Sequence, residues 1–118
     1  MILTPADIAA VVQYPELLRL IFLRDQSLWR FLPEYRDGEL ELVTGIRIWP
    51  DGWTEAVAIR SQDDAKAFRC DPAGGEVWGR EGGLAEVLDS LIDLPAPHTR
   101  HAPTLVKARA PRPWIPAR

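Results

Sequence analysis

Between Glu39 and Trp78 the sequence alternates in short runs broken by turn residues, a pattern that no single long helix can satisfy. Leu40, Leu42, Thr44, Ile46 and Ile48 alternate with Glu39, Glu41, Val43, Gly45, Arg47 and Trp49. A period of two residues places these sets on opposite faces of a strand. Pro50-Asp51-Gly52 follows and carries the Asp-Gly pair that hairpins favour. Trp53, Glu55, Val57 and Ile59 then alternate with Thr54, Ala56, Ala58 and Arg60. After Ser61-Gln62-Asp63-Asp64 comes a third strand, with Lys66, Phe68 and Cys70 on one face and Ala65, Ala67 and Arg69 on the other. Asp71-Pro72-Ala73-Gly74-Gly75 turns the chain again, into a short fourth strand from Glu76 to Trp78. Loops this short force each strand to lie antiparallel to the one before.

Helical signals flank the strands. Thr4-Pro5 offers a hydroxyl cap followed by proline at the first helical position, where its missing N–H costs nothing. Ile8, Val11 and Val12 recur at helical spacing. Tyr14-Pro15 interrupts this run, because a residue before proline avoids the helical region. Pro15 and Glu16 open a second helix, apolar around most of its circumference through Leu17, Leu18, Leu20, Ile21, Phe22 and Leu23. Such a helix calls for burial on several sides or against a second copy of the chain. Ser27, Leu28, Trp29, Phe31 and Leu32 suit one more short helical turn before Pro33, with Arg36-Asp37-Gly38 as a turn after it. Beyond Gly82-Gly83, the residues Leu84, Val87, Leu88, Leu91 and Ile92 form one helical face, which Pro95 ends.

The fold class expected is therefore α+β. N-terminal helices lead into a four-stranded antiparallel meander, and one C-terminal helix packs on one sheet face. Residues 1–94 form the single domain, and residues 95–118 an extended proline-rich basic tail. That tail holds six of the eleven prolines, which favours extended or polyproline II backbone. All 17 acidic side chains precede Pro95, together with nine of the 14 basic ones, whereas the tail has five basic residues and no acidic one. Body and tail attract each other, or the tail is offered to an acidic partner. Leu105, Val106, Trp114 and Ile115 in the tail are burial candidates, which a merely solvated tail does not need.

The totals narrow the function classes. With 47% hydrophobic and 26% charged residues the chain has material for one globular core. Its most apolar run, from Leu17 to Leu23, contains Arg19 and is too short to span a membrane. The N-terminus lacks the basic region of a secretory signal, and the single cysteine fits a reducing compartment, so a cytoplasmic protein is expected.

No constellation points to catalysis. Cys70 shares its strand face with Phe68 and reads as a buried thiol. His98 and His101 lack the further ligands that zinc wants. Gly79-Arg80-Glu81-Gly82-Gly83 matches neither a P-loop nor GxGxxG, and reads as a strand-to-helix joint. Asp63-Asp64 and the group Glu86, Asp89, Asp93 read as solvated surface. No cofactor and no metal is implied.

The tryptophans remain. Trp49 lies on the strand face opposite Leu40, Leu42, Ile46 and Ile48; if those residues meet the helices, Trp49 faces away from them. Trp and Arg are enriched among interface anchors. The expected function is thus a non-catalytic interaction module that binds another protein or itself, as a homodimer for example. Its expected contacts are Trp49, Trp53, Trp78, Trp114 and Arg112; Trp114 lies within the PxxP-spaced Pro113-Trp114-Ile115-Pro116, and Arg112 flanks it. The alternatives are a small-molecule binder or enzyme with a pocket between sheet and helices, and nucleic-acid contact through the basic tail, which the acidic body opposes.

Overall fold

The computed structural model describes residues 3–22 and 29–109. The N-terminal helix α1 spans Pro5–Gln13 and opens as expected. The Asp7 N–H donates to Thr4 Oγ1, and the Thr4 N–H donates to Asp7 Oδ2, at 3.1 and 2.9 Å. Each side chain thus satisfies a backbone donor left over at the helix start. Tyr14 ends the helix, a 3-10 turn covers Pro15–Leu17, and α2 spans only Leu18–Ile21. Leu17 and Leu20 are buried while Phe22 is exposed, so this short apolar segment points inward mainly through those two leucines.

Five consecutive strands follow: β1 Trp29–Arg36, β2 Glu39–Ile48, β3 Thr54–Ser61, β4 Asp64–Cys70 and β5 Gly75–Gly82. They form an antiparallel meander, in which each strand pairs with the next. Helix α3, Leu84–Asp93, comes after β5, and a two-residue strand β6, Ala108–Arg109, adds to the β5 edge.

The sheet corrects the expected strand count. Trp29–Arg36 is a strand and not a helical turn, because Asp37 and Gly38 both take positive φ, 52° and 81°, and close a tight hairpin onto β2. The last long strand also runs on to Gly82, so Gly79 to Gly82 belong to the sheet rather than to a joint.

One face of the sheet carries the helices. Val43, Val57, Ile59, Ala65 and Ala67 on the strands meet Ala10, Leu17 and Leu20 from the N-terminal elements and Leu84, Val87, Leu88 and Leu91 from α3. The alanines of β4 allow α3 to come close. This reverses the conditional reading of β2: the set with Val43, Gly45 and Arg47 faces the helices, while Ile46 packs into a second cluster with Ala56, Phe68 and Cys70 on the other face. Leu40 nevertheless reaches the main core, because the β1–β2 register shifts between Glu34 and Tyr35. Gly45 explains the choice of side. A Cβ there would lie 2.7 Å from Phe31 Cε1 and 2.9 Å from Val57 Cγ1, so the Phe31 ring occupies the space that a side chain would need. Gly45→Ala is expected to lower stability by about 1–3 kcal/mol through overpacking. Urea denaturation checks this; an unchanged midpoint would mean that the ring moves aside without cost.

Both sheet edges are closed in part. On β1 the Phe31 N–H donates to Asp7 Oδ1 at 3.2 Å, and two residues on Pro33 has no N–H to offer. On β5 the Lys107 N–H donates to the Glu76 carbonyl at 2.7 Å, and β6 pairs with Gly75 and Glu76.

Candidate interaction surface

The β2–β3 hairpin places Arg47 opposite Glu55, and the β3–β4 pairing places Arg69 beside Glu55. All three side chains are on the helix face and buried, Glu55 to 1% exposure and Arg69 to 0%. Arg47 Nε donates to Glu55 Oε1 at 2.8 Å, and Arg69 Nε donates to Glu55 Oε2 at 2.7 Å. Arg69 Nη2 also donates to Glu55 Oε2. Its Nη1 donates to the Pro95 carbonyl at 2.6 Å, which ties the chain after α3 to the middle of the sheet. One carboxylate thus gathers two guanidiniums, each of which would be costly to bury alone.

Two tryptophans flank this ladder. The Arg47 guanidinium carbon lies 5.2 Å from the Trp29 ring centre and 4.6 Å from that of Trp49, within cation–π range. Trp49 is half-buried and stacked on Arg47, on the helix face and not turned away from it. Trp53 is buried and meets the His98 ring edge-on at 5.6 Å. Trp78 sits opposite Arg69 and is half-buried against the main core. Trp114 and Arg112 lie outside the described residues. The structure therefore gives Trp49, Trp53 and Trp78 packing partners on the helix side of the sheet and at the β2–β3 turn.

Residues 95–109 follow the body of the protein. His98 contacts the Asp51 carboxylate at that turn. Desolvation is the largest single influence on the Asp51 carboxyl and pushes it up, but the His98 hydrogen bond and charge, with backbone N–H groups, together outweigh it and hold the carboxyl below its ordinary value. A carboxyl lowered in this way supports the folded state above its unfolded pKa and loses that support as acid is added. Val106 packs where a side chain at Gly75 would go.

The face away from the helices is the apolar surface left over. Ala56, Phe68 and Cys70 are buried there, with Ile46 partly so. Towards β1 the face opens: Leu32 is 56% exposed and Ile48 51%. Towards β5 it becomes charged, with a cavity of about 410 Å³ lined by Arg60, Asp63, Asp64, Lys66 and Glu81 among others. A second cavity, of about 360 Å³, lies beside it at Lys66, Glu76 and Lys107. Neither lies between the sheet and the helices. Burial pushes the Cys70 thiol up to about 11, helped by the Glu76 and Asp71 carboxylates, so it is a poor nucleophile near neutrality. Among the described residues no group of three or more side chains could hold a metal ion, and no helix is long and apolar enough to cross a membrane.

Comparison with protein-family models, with curated proteins and with solved structures finds no match for this chain.

The sequence reading missed the Arg47–Glu55–Arg69 ladder. A signal for it exists. The Pro50-Asp51-Gly52 turn sets Trp49 against Trp53, and two residues further out on each strand it sets Arg47 against Glu55. Opposite charges facing each other on a strand side that also carries Val57 and Ile59 mark a buried pair.

Proposed function

We propose that this protein is a non-catalytic interaction module whose contact surface is the sheet face away from the helices. One observation carries the reading: Leu32 and Ile48 are more than half exposed on the same face, on either side of Ile46. Apolar strips of this kind suit a protein partner, including a second copy of the chain. The edges are partly covered, which makes strand addition less favourable there than contact through the face. Of the contacts expected from sequence, Trp114 and Arg112 remain proposals that lie outside the described residues. Trp49 and Trp78 stand on the helix side and are not part of this surface, and Trp53 supports the β2–β3 turn from within.

Solution mass by light scattering tests the reading. The full chain is expected to self-associate in the micromolar range. Ile48→Asp and Leu32→Asp are expected to return it to a monomer with unchanged far-UV circular dichroism, because each places a charge in the contact without touching the main core. A wild-type monomer at all concentrations would remove the self-association reading. A dimer insensitive to both substitutions would move the contact elsewhere.

A further inference from the structure

We propose that the uncovered stretch of β5, from Val77 to Gly82, is a strand-addition site for a second copy of this chain, with the two β5 strands antiparallel about a twofold axis at Gly79. This is a second surface, apart from the contact face. Four observations lead there.

The first is an edge covered at one end only. Lys107 and β6 reach Gly75 and Glu76. Because β6 runs antiparallel to β5, cover for Val77 to Gly82 would have to come from residues 102–107. None of these is strand, and Val106 packs beside Gly75 instead. Among the described residues, no strand pairs with the outer side of Val77 to Gly82.

The second is access. Gly79, Arg80 and Glu81 are exposed. The cavity of about 360 Å³ straddles this edge: Arg80 lines it from the helix side, Gly79 and Glu81 from the other side, and Lys107 from the β6 end.

The third is where the strand stops. Gly82 takes φ 145°, and the Leu84 N–H donates to the Gln62 carbonyl at 2.8 Å, so the chain turns inward to the β3–β4 turn. A second β5 laid alongside would leave the sheet at the same residue, before it met β6.

The fourth is register. A twofold axis through an antiparallel pair sets one residue of β5 against its own copy. Centred on Arg80 or Glu81, it opposes like charges. Centred on Val77 or Trp78, it runs into Glu76, which β6 holds, and Gly82 is the last residue of the strand. Centred on Gly79, it spans Val77 to Glu81 and sets Arg80 against the partner's Trp78. Both side chains lie on the helix face: Trp78 sits opposite Arg69, and Arg80 Nη2 is 3.7 Å from Glu86 Oε2 on α3. A guanidinium over an indole ring is attractive. Charged side chains usually guard an edge, but in this register neither Arg80 nor Glu81 meets its own copy.

A single thiol tests the register. The full-length Leu32→Asp, Cys70→Ala chain silences the contact face and the native thiol. Gly79→Cys in that chain is expected to form a covalent dimer on mild oxidation, read by mass. Opposite Cα atoms are about 4.5–5.5 Å apart, which a disulfide spans. The nearest atom to a Cβ at Gly79 is Glu76 Oε2 at 3.1 Å, the end of a flexible side chain. Glu81→Cys, roughly 13 Å from its own copy in this register, is expected to stay monomeric. No dimer with Gly79→Cys, or as much dimer with Glu81→Cys, would overturn the proposal. Should Gly79→Cys change the circular dichroism, amide hydrogen exchange of the wild-type and Leu32→Asp chains decides. In both, exchange over Val77 to Gly82 is expected to slow by about fivefold or more between dilute and concentrated protein. Exchange independent of concentration, or slowing that Leu32→Asp abolishes, would overturn it. Leu32→Asp removes the face contact alone, so this proposal and the contact-surface reading can fail separately.

Discussion

Glu55→Ala is expected to destabilise the protein by about 3–5 kcal/mol, a large share of the roughly 5–15 kcal/mol that holds a typical domain together. The size follows from what the carboxylate does. It accepts from both Arg47 and Arg69, and all three side chains are buried. Removing it leaves two guanidiniums in the interior without their shared counter-charge. The damage also spreads, since Arg47 is on β2, Glu55 on β3 and Arg69 on β4, and Arg69 in turn holds Pro95. Glu55→Gln separates charge from shape, because it keeps the volume and some hydrogen bonding. If charge dominates, it loses nearly as much as the alanine variant. Chemical denaturation measures both. A loss below about 1 kcal/mol for Glu55→Ala would mean that the ladder is far better hydrated than its burial indicates. Replacing all three residues by apolar ones of similar volume is expected to cost much less than the single substitution, since no unpaired charge then remains.

Asp7→Ala is expected to cost about 2–4 kcal/mol, from two separate effects. One carboxylate oxygen closes the capping box with Thr4, and such caps contribute about 0.5–2 kcal/mol. The other accepts the buried Phe31 N–H, and a buried donor left without a partner costs roughly 1–3 kcal/mol. Asp7→Asn keeps an acceptor oxygen and should recover part of the loss. Thermal melts of the two variants separate the contributions. Thr4→Ala, which removes the hydroxyl acceptor for the Asp7 N–H, isolates the helix-cap share. If Asp7→Ala costs no more than Thr4→Ala, the bond to β1 adds nothing.

How far the fold can be read in advance depends on whether local chemistry or long-range packing decides each element. Thr4-Pro5, the Asp51-Gly52 turn and the Leu84–Ile92 stripe are local signals, and the elements they mark are present. β1 escaped because Trp29 to Leu32 is a short apolar run before a proline, which helix and strand both tolerate. Asp37-Gly38 was the deciding cue, since the same dipeptide logic that marks the next hairpin applies to it. The orientation of β2 escaped for a different reason. Both its faces carry apolar residues, and the choice rests on Phe31 filling the space over Gly45, a contact across the hairpin. The side of the candidate surface was not legible: the sequence reading set Ile46 and Ile48 against the helices and Trp49 outside, and the structure has the reverse. An apolar sheet face in search of a cover follows from the strand pattern. That the tryptophans of the hairpin stack on a buried arginine, leaving Leu32 and Ile48 outside, needs the register of three strands at once.

The closed edges also give the chain a direction in time. Each strand of the meander pairs with the strand just before it in the chain, so every pairing is available as soon as its later strand has been made. The β1 side is shut early, because Asp7 and Pro33 precede or belong to the first hairpin. The β5 side stays open until Lys107 and Ala108 arrive, well after that strand ends at Gly82 and α3 has been made. A nascent chain, or one clipped by a protease ahead of Lys107, therefore displays five paired strands with one unguarded margin. Loss of the chain from Lys107 onwards would uncover Gly75 and Glu76 as well and lengthen the stretch of β5 on which another strand can grow.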